Sequence, residues 1–483
     1  MMSGRTRAIT ASVLAVGAVV ALFFAFSGDA APAREPDGRL GTPMWSARRV
    51  PQPLVDGVGA QHLQQALVQS FPGPGSCFLV QSDGHVLAAN DATTPLIGAS
   101  TQKLLVGAAA LATMTPDFTY ETKVNAPAPP DDGAVDRVWL IGSGDPVLTT
   151  APYSAFIQSR DRSRGDVTTS LEVLADAVVA KGVQRIPGGI VVDDSRYDAQ
   201  RYVPSWKDSY RVNGDIGPLG ALTVNDGFSA WDPRRIVVDD PAVNAGNQLS
   251  QLLRARGVQV GAVSRGTAPE GTTAIATVQS VPLKDIVTSM FRSSDNLTAE
   301  LLVKEIGVRA AKEGTTVAGA AAVLSKLSEL GVPVDNVVLD DGSGLSRENR
   351  GTCTTLASVL SLRARPGFET LLTGLPVSGQ SGTLVDQFLG SPLVGKVIAK
   401  TGSLDGVSGF AGVVSLTRPI EFAFLSNGSF SEAAGAPLRV RVATIVGSYP
   451  DAPAGEVLVP APAPPLPAVG PTPTGVPTSL VGR

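Results

Sequence analysis

Histidine is nearly absent from this chain of 483 residues, which contains only His62 and His85. One lies in a predicted helix and the other in a predicted hairpin, and neither belongs to a catalytic motif, so a Ser-His-Asp triad is not expected. Cysteine is equally rare, because Cys77 and Cys353 are the only two. These four residues are scattered and lack the spacing of zinc ligands. The sequence therefore predicts neither a metal ion nor another cofactor.

The chain also lacks a strong excess of charge of either sign. Its formal net charge is −4 and its isoelectric point is about 5.4, and we find no basic stripe or phosphate-binding loop. A nucleic-acid partner is therefore not expected. Hydrophobic residues make up 43% of the chain and the mean hydropathy is +0.16, which is enough for well-packed cores. A chain of this length usually forms two domains with additional tails.

A long uncharged segment lies near the N-terminus. Arg5 and Arg7 precede residues 8–28, which carry no charge. At about 1.5 Å per residue in a helix, this segment is just long enough to cross a bilayer core of roughly 30 Å. Residues 1–30 are therefore either a secretory signal peptide, cleaved among the small residues at 31–33, or a membrane anchor that is retained. Both alternatives place the remainder of the protein outside the cytoplasm, in the cell wall or periplasmic space.

The two cysteines are candidates for a disulfide bond. An even pair in an exported protein suggests one bond, and here it would connect an early part of the chain with its last third. The alternative is two buried free thiols. The sequence does not decide between them, because the bond requires Cα atoms within about 7 Å of one another.

The composition divides the chain into segments. Residues 31–53 are rich in proline, arginine and glycine and are predicted to be a linker. Residues 450–483 contain ten prolines, which favour extended conformations, and are predicted to be a disordered tail. Over residues 115–280, short strand-like runs alternate with turns. This pattern predicts a β-rich domain inserted into a catalytic domain that is formed by residues 54–114 and 281–449.

Apolar periodicity predicts the regular elements. A helix is predicted to begin at Ser100, and helical spacing is also found at residues 58–71, 169–181, 285–293, 297–308 and 433–447. Strand-like runs are found at residues 77–80, 85–88, 137–141, 190–192, 235–238, 397–400, 408–415 and 420–425. The last three runs are predicted to be successive antiparallel strands.

Three short motifs carry the candidate chemistry: Ser-Thr-Gln-Lys at residues 100–103, Ser-Asp-Asn at 294–296 and Lys-Thr-Gly at 400–402. Ser100 and Lys103 are three residues apart at a predicted helix start, which places both side chains on one face. A serine hydroxyl becomes an effective nucleophile when a neighbour accepts its proton. A lysine can be that base if burial and a nearby positive charge lower its pKa.

The order of the motifs strengthens this interpretation. Each motif alone is common, but here a nucleophile on a helix is followed by a Ser-x-Asn break between helices and then by Lys-Thr-Gly on a strand. Lys400 is the candidate for the positive charge beside Lys103. Serine enzymes that use a lysine base, such as β-lactamases and penicillin-binding proteins, carry this set. The sequence therefore predicts acyl transfer through an active-site serine.

Longer segments add a specific family resemblance. They are KTGSLDGVSGFAGVV at residues 400–414, DGSGLSREN at 341–349, NLTAELL at 296–302, GTL at 382–384, GSGDPVL at 142–148 and ALTVND at 221–226. Over residues 55–448 the chain resembles class C low-molecular-mass penicillin-binding proteins, the D-alanyl-D-alanine carboxypeptidases/endopeptidases of the DacB type. The resemblance implies an α/β (α+β) fold with a transpeptidase- or β-lactamase-like antiparallel sheet flanked by helices. It also implies hydrolysis of peptidoglycan stem peptides and covalent inhibition by β-lactam antibiotics.

The resemblance further implies catalytic roles for the motif residues. Ser100 attacks the D-alanyl-D-alanine peptide bond and Lys103 takes its proton. Ser294 and Asn296 relay protons and position both Lys103 and the substrate amide. Lys400 adds positive potential.

Residues 401–403 are implied to bind the substrate. Thr401 and Ser403 hold its terminal carboxylate and Gly402 lies between them, while the backbone amides of Ser100 and Ser403 form the oxyanion hole. Ser403 replaces the threonine that is commoner in the family and keeps the hydroxyl group. The insert is shorter than in many family members, so its smaller subdomain is expected to be reduced or absent.

Two other functions share these motifs. A β-lactamase uses the same fold and acylation chemistry, but the chain has no Glu-x-x-Leu-Asn segment of the kind that supplies a deacylating base in class A enzymes, and the large insert also disfavours it. A non-catalytic cell-wall-binding protein would have a decayed site, whereas all three motifs are intact. The balance between carboxypeptidase and endopeptidase activity is not decided by the sequence.

Overall fold

The computed structural model describes residues 52–451. Its α-helices within that range are α1 (Gln52–Ser70), α2 (Lys103–Met114), α3 (Ala151–Ser159), α4 (Leu171–Ala180), α5 (Asp208–Asn213), α6 (Pro241–Ala255), α7 (Leu283–Ser293), α8 (Asn296–Ala311), α9 (Thr316–Glu329), α10 (Cys353–Ser361), α11 (Thr370–Thr373) and α12 (Glu432–Gly447). Short 3₁₀ turns are found at Ala99–Gln102, Asn225–Gly227, Leu362–Ala364 and Gly382–Leu384.

The strands of the described residues form two five-stranded sheets and three two-stranded pairs. They are β1 (Ser76–Ser82), β2 (His85–Asn90), β3 (Glu121–Ala126), β4 (Val138–Ile141), β5 (Leu148–Thr149), β6 (Thr169–Ser170), β7 (Arg185–Ile186), β8 (Ile190–Asp193), β9 (Phe228–Ala230), β10 (Ile236–Val237), β11 (Gln259–Val260), β12 (Val263–Arg265), β13 (Thr273–Gln279), β14 (Val397–Leu404), β15 (Val407–Val414) and β16 (Ile420–Asn427).

The first large sheet has the order β14-β15-β16-β1-β2, and every neighbouring pair is antiparallel. Side chains alternate between the faces along a strand, so β16 contributes to two cores. Phe422 and Phe424 pack on one face with the C-terminal half of α1 and with α12, while Ala423 and Leu425 pack on the other face with α2 and α10. Helices therefore cover both faces, and the predicted antiparallel sheet flanked by helices is confirmed.

The second large sheet is mixed and has the order β12-β8-β4-β3-β13. Its strand β8 pairs in parallel with β4 and β12, whereas β3 pairs antiparallel with β4 and β13. A separate core covers it, to which α4 contributes Leu171 and Leu174 and α6 contributes Leu249 and Leu253. The strands predicted at residues 137–141 and 190–192 both belong to this sheet.

Three α-helices between residues 115 and 280 were not predicted. They are α3, the short helix α5 and the 15-residue helix α6. The Asp240 side chain caps α6 by accepting hydrogen bonds from the amides of Ala242 and Val243, and Pro241 is its first residue. An Asp-Pro pair is an ordinary helix start signal, so this segment is richer in helix than the strand-like runs indicated.

Cys77 and Cys353 form a disulfide bond between β1 and the start of α10, with their Cα atoms 6.1 Å apart. The uncharged segment at residues 8–28, nearly all of the linker and nearly all of the proline-rich tail lie outside the described residues. Within residues 52–451, no helix combines the length and the apolar character that a membrane crossing requires.

Candidate active site

The candidate nucleophile lies in a tight turn at the start of a helix. Ser100 is part of the 3₁₀ turn Ala99–Gln102, and α2 follows with Lys103 as its first residue. Ala99 has a φ of 47°, a left-handed conformation that costs a residue with a Cβ on the order of 1 kcal/mol. A 3₁₀ turn thus replaces the first turn of the helix predicted to begin at Ser100. The two side chains still share a face, because Lys103 Nζ is 2.9 Å from Ser100 Oγ.

Lys103 is fully buried, and its ammonium group is surrounded by oxygen acceptors. Nζ donates to Ser100 Oγ at 2.9 Å, to Asn296 Oδ1 at 2.8 Å and to the carbonyl of Ser343 at 2.6 Å. The three acceptors come from different parts of the chain. They fix the lysine nitrogen beside the serine hydroxyl, which is the position that a general base needs.

Burial is the main reason why Lys103 can act as a base. It lowers the pKa of Lys103 from 10.5 to about 8, while the negative charges of Asp295, Asp341 and Glu300 oppose part of this effect. The sequence predicts that burial and the positive charge of Lys400 together lower this pKa, and burial is the largest cause in the structure. A useful share of Lys103 is therefore neutral near neutral pH.

The Ser-Asp-Asn motif lies between α7 and α8. Ser294 adopts a left-handed conformation (φ 64°, ψ 38°) that ends α7. The Asp295 carboxylate accepts a hydrogen bond from the Thr298 amide at 2.6 Å and caps α8. Asn296 donates through Nδ2 to the carbonyl of Asp215 at 2.8 Å, which leaves its Oδ1 to face the lysine. The break between the helices thus directs Ser294 and Asn296 into the site.

Lys400 forms a second serine–lysine pair. Its Nζ donates to Ser294 Oγ at 2.8 Å and to the Thr401 carbonyl at 2.9 Å. Burial lowers the pKa of Lys400 well below its usual value, and the positive charges of Lys103 and Arg439 lower it further. The site therefore contains two hydroxyl groups, each beside a lysine whose proton is held less tightly than in water.

The Lys-Thr-Gly motif lies on β14, the edge strand of the first sheet, against the turn of the nucleophile. A Cβ on Gly402 would lie 2.3 Å from the carbonyl oxygen of Gly98, so only glycine permits this approach. Thr401 Oγ1 is 2.8 Å from Thr383 Oγ1. Ser403 is half-buried. Residues 401–403 therefore run beside the turn that carries Ser100, the candidate nucleophile.

The loop at residues 341–349 was noted in the sequence only for its family resemblance, yet its Ser343 carbonyl is an acceptor for Lys103. The loop is held in place by Glu300, whose Oε1 accepts from the Ser343 amide at 2.6 Å. Burial and the nearby charge of Asp341 raise the pKa of Glu300 to about 8. A Cβ on Gly344 would lie 2.1 Å from the backbone of the nucleophile's turn. The family-like sequence DGSGLS marks this segment as part of the resemblance. It does not predict that the Ser343 carbonyl oxygen accepts a hydrogen bond from Lys103.

Two residues beside residues 401–403, the predicted substrate-binding segment, were not assigned a role from the sequence. Thr383 contacts Thr401, and its GTL segment had been noted as family-like without a role. Arg439 of α12 donates to Ser403 Oγ at 3.0 Å. A single arginine on a helix gives no sequence signal of this kind, because its burial depends on tertiary packing.

A cavity of about 450 Å³ opens beside the Ser-Asp-Asn motif. Ser294, Asp295 and Asn296 line it together with Asp166 and Asp226 from the segment between the first two motifs. Burial raises the pKa values of Asp166 and Asp226 to about 7. The volume is within the range of small-molecule and peptide sites.

The arrangement is suited to acyl transfer. One serine hydroxyl lies beside a buried lysine at a helix start, and a second hydroxyl beside a second buried lysine lies close to it. His62 on α1 and His85 on β2 lie outside this network. A lysine base and a nearby cationic proton source can thus form and resolve an acyl-serine without histidine.

Comparison with known proteins identifies the family. The sequence matches the family described as D-Ala-D-Ala carboxypeptidase 3 (S13) over residues 61–232 and 229–446. Carboxypeptidase DacB of Mycolicibacterium smegmatis is 32% identical over 437 residues, which cover 87% of this chain and 91% of that protein. The D-alanyl-D-alanine carboxypeptidase of Actinomadura sp. (strain R39) is 29% identical over 443 residues, which cover 75% of this chain and 78% of that protein.

Solved structures show the same fold. Penicillin binding protein 4 (dacB) of Haemophilus influenzae matches with a TM-score of 0.67 and 22% identity, covering 80% of this chain and 99% of that chain. A complex of that protein with a β-lactam matches with a TM-score of 0.57 and 22% identity, covering 76% of this chain and 93% of that chain. Since the family match extends over most of the chain, the protein belongs to the D-Ala-D-Ala carboxypeptidase 3 (S13) family and is a serine-type carboxypeptidase, as its motifs predicted.

Proposed function

We propose that this protein hydrolyses the D-alanyl-D-alanine bond of peptidoglycan stem peptides through an acyl-serine intermediate, with Ser100 as the nucleophile and Lys103 as its base. The observation that carries the proposal is the 2.9 Å contact between Lys103 Nζ and Ser100 Oγ, together with a lysine pKa lowered to about 8. In the reactive state neutral Lys103 accepts the hydroxyl proton while Ser100 Oγ attacks the carbonyl carbon.

The second serine–lysine pair supplies the proton that the leaving amine needs. Ser294 gives its hydroxyl proton to the leaving nitrogen as the peptide bond breaks, and Lys400 returns a proton to Ser294 across their 2.8 Å hydrogen bond. Acylation thus ends with Lys103 charged and Lys400 neutral. Water then attacks the acyl carbon and loses its proton to Lys400 through Ser294, while Lys103 returns its proton to Ser100. Asn296 holds Lys103 in position throughout.

The substrate lies along the edge of β14. Thr401 and Ser403 donate hydrogen bonds to its terminal carboxylate, and Gly402 lets the strand approach the nucleophile's turn. The backbone amides of Ser100 and Ser403 stabilise the oxyanion that forms at the attacked carbonyl. The first of these amides belongs to a helix start, where the dipole also favours negative charge.

β-Lactams are expected to acylate Ser100 as substrate mimics. The H. influenzae protein with the same fold has been solved with a bound β-lactam, which supports this expectation. Endopeptidase activity is part of the proposal, because cleavage of cross-linked stems requires the same chemistry and only a wider cleft.

The protein acts outside the cytoplasm. Its disulfide bond is typical of an oxidising compartment. Residues 8–28 provide either the export signal or a membrane anchor. Residues 54–114 and 281–449 form the catalytic domain and residues 115–280 an inserted domain, a division that the separate core around the mixed sheet supports.

The proposal is tested with the peptide diacetyl-L-lysyl-D-alanyl-D-alanine. Release of D-alanine by the wild-type protein and not by Ser100→Ala supports it. The proposal is wrong if the wild-type protein releases none, or if Ser100→Ala is equally active. Circular dichroism of both proteins excludes a difference in folding.

A further inference from the structure

Arg439 is a buried cation beside the substrate-binding segment, and its hydrogen-bond partners are all neutral. It lies on α12 and is 5% exposed. Nη1 donates to Ser403 Oγ at 3.0 Å and to the Gly402 carbonyl and Ser408 Oγ at 3.4 Å each. Its Nε has no hydrogen-bond acceptor within residues 52–451. Among residues 52–451, no carboxylate forms an ion pair with this guanidinium, which is held in place by neutral groups.

A buried charge of this kind costs stability. Burial lowers the pKa of Arg439 from 12.5 to about 10, and Glu432 of the same helix opposes this effect without an ion pair to Arg439. In contrast, Arg363, another largely buried arginine, donates to Glu421 at 2.6 Å. A residue that destabilises the fold is expected to be retained for function, and an anionic ligand would compensate its charge.

We infer that Arg439 makes the enzyme selective for substrates with a free C-terminal carboxylate, and that it acts through the hydroxyl of Ser403. Ser403 Oγ accepts its hydrogen bond from Arg439, so its own proton is free to be donated. Ser403 is half-buried and can face a ligand, whereas Ser408 is fully buried and donates to the Gly435 carbonyl. A substrate carboxylate that accepts a hydrogen bond from Ser403 is therefore also stabilised by the positive charge of Arg439, which lies one hydrogen bond further away.

Arg439 is thus a positioning residue, since it reaches the substrate through Ser403. The positive charge of Lys400 also supports the binding of an anion here. The positive charge of Arg439 contributes to the lowered pKa of Lys400, so the two cations lie near one another on the side where the carboxylate is bound. The inference rests on the proposed function, because the anion is the carboxylate of the terminal D-alanine.

The test compares two peptides, diacetyl-L-lysyl-D-alanyl-D-alanine and the same peptide with a C-terminal carboxamide. The ratio of their kcat/KM values does not depend on the fraction of folded enzyme. In Arg439→Met and Arg439→Gln, the ratio of kcat/KM for the carboxylate peptide to that for the carboxamide peptide should fall by on the order of 10- to 100-fold. Most of this change should be a higher KM for the carboxylate peptide. Arg439→Lys should recover part of it. Arg441→Gln, two residues further along the same helix, should leave the ratio unchanged.

An unchanged ratio in the two neutral variants overturns the inference. Arg439→Met is expected to fold, because it removes a buried charge and an unpaired Nε, so failure of that variant to fold would also overturn it. In a Ser403→Ala background, Arg439→Met should change the ratio far less than in the wild type, and an equal change contradicts the route through Ser403. A wild-type protein that cleaves neither peptide refutes the proposed function, whereas wild-type cleavage with an unchanged ratio refutes only Arg439's role.

Discussion

The rate of Ser100 acylation should follow the protonation of Lys103. At its ordinary pKa of 10.5, about 1 lysine in 3,000 is neutral at pH 7, whereas a pKa of about 8 makes about 1 in 10 neutral. Burial therefore supplies about a 300-fold gain in active base. The second-order rate constant for acylation by a penicillin should rise tenfold per pH unit below about pH 8 and level off above it.

The substitution Asp295→Asn should shift the pH dependence of the acylation rate constant to lower pH. Asp295 is the largest of the negative influences that raise the pKa of Lys103. Asp295→Asn removes that charge but keeps an oxygen that can cap α8. The pKa of Lys103 should fall, so the rising limb should move to lower pH by up to about one unit, with a larger rate near pH 6. Stopped-flow acylation between about pH 5.5 and 9.5 measures both profiles.

The matched control is Asp176→Asn, which removes an exposed carboxylate on α4 and should leave the profile in place. A profile for Asp295→Asn that does not move, or that moves to higher pH, would contradict the assignment of Lys103 as the titrating base. A wild-type profile that still rises steeply above about pH 9 would also refute the reasoning, because the lysine would then have a nearly ordinary pKa.

Three further predictions concern other parts of the structure. Gly402→Ala should reduce acylation by about 100-fold or more with the far-ultraviolet circular dichroism unchanged, because a Cβ would lie 2.3 Å from the Gly98 carbonyl and displace the nucleophile's turn; an unchanged rate contradicts this. Replacing Cys77 and Cys353 by serine should lower the free energy of unfolding by about 2–5 kcal/mol in denaturant titrations, since the bond spans a separation of 276 residues; equal stability would be the opposing result. Asp166 has its pKa raised to about 7 by burial, so its ionisation destabilises the folded state as the pH rises from about 4 through 7; Asp166→Asn should therefore raise Tm more at pH 8 than at pH 5, and an equal effect at both would argue against it.

The fold class was predictable from the family resemblance, and several individual strands were predictable from local apolar runs. The strands predicted at residues 397–400, 408–415 and 420–425 are rich in apolar residues, and they occur as adjacent antiparallel neighbours in the structure, where the first extends to Leu404. Helices α6 and α9 were missed, although each begins with a capping side chain, Asp240 and Thr315. The buried residues Ala242, Ala245, Leu249 and Leu253 of α6 do recur at helical spacing, so this helix was predictable from its sequence. The buried face of α9 includes the small residues Gly319 and Ala320, which give a weaker periodic signal.

The candidate catalytic residues were predictable because three short motifs occur in a characteristic order, and because a spacing of three places Ser100 and Lys103 on one helix face. The supporting contacts were not predictable in this way. The Ser343 carbonyl reaches Lys103 from 240 residues away. Arg439 meets Ser403 only because α12 packs on the sheet. Such contacts depend on tertiary packing and leave no spacing in the sequence.

The intact mass of the protein after incubation with a penicillin tests the central claim most directly, with Ser100→Ala as the control. We expect a stable adduct of the drug's mass on the wild-type protein and none on the variant. This result would identify Ser100 as the acylated nucleophile and deacylation as slow. An unmodified wild-type protein with intact drug, or an adduct that persists in Ser100→Ala, would contradict the account, and an unmodified protein with hydrolysed drug would indicate a β-lactamase.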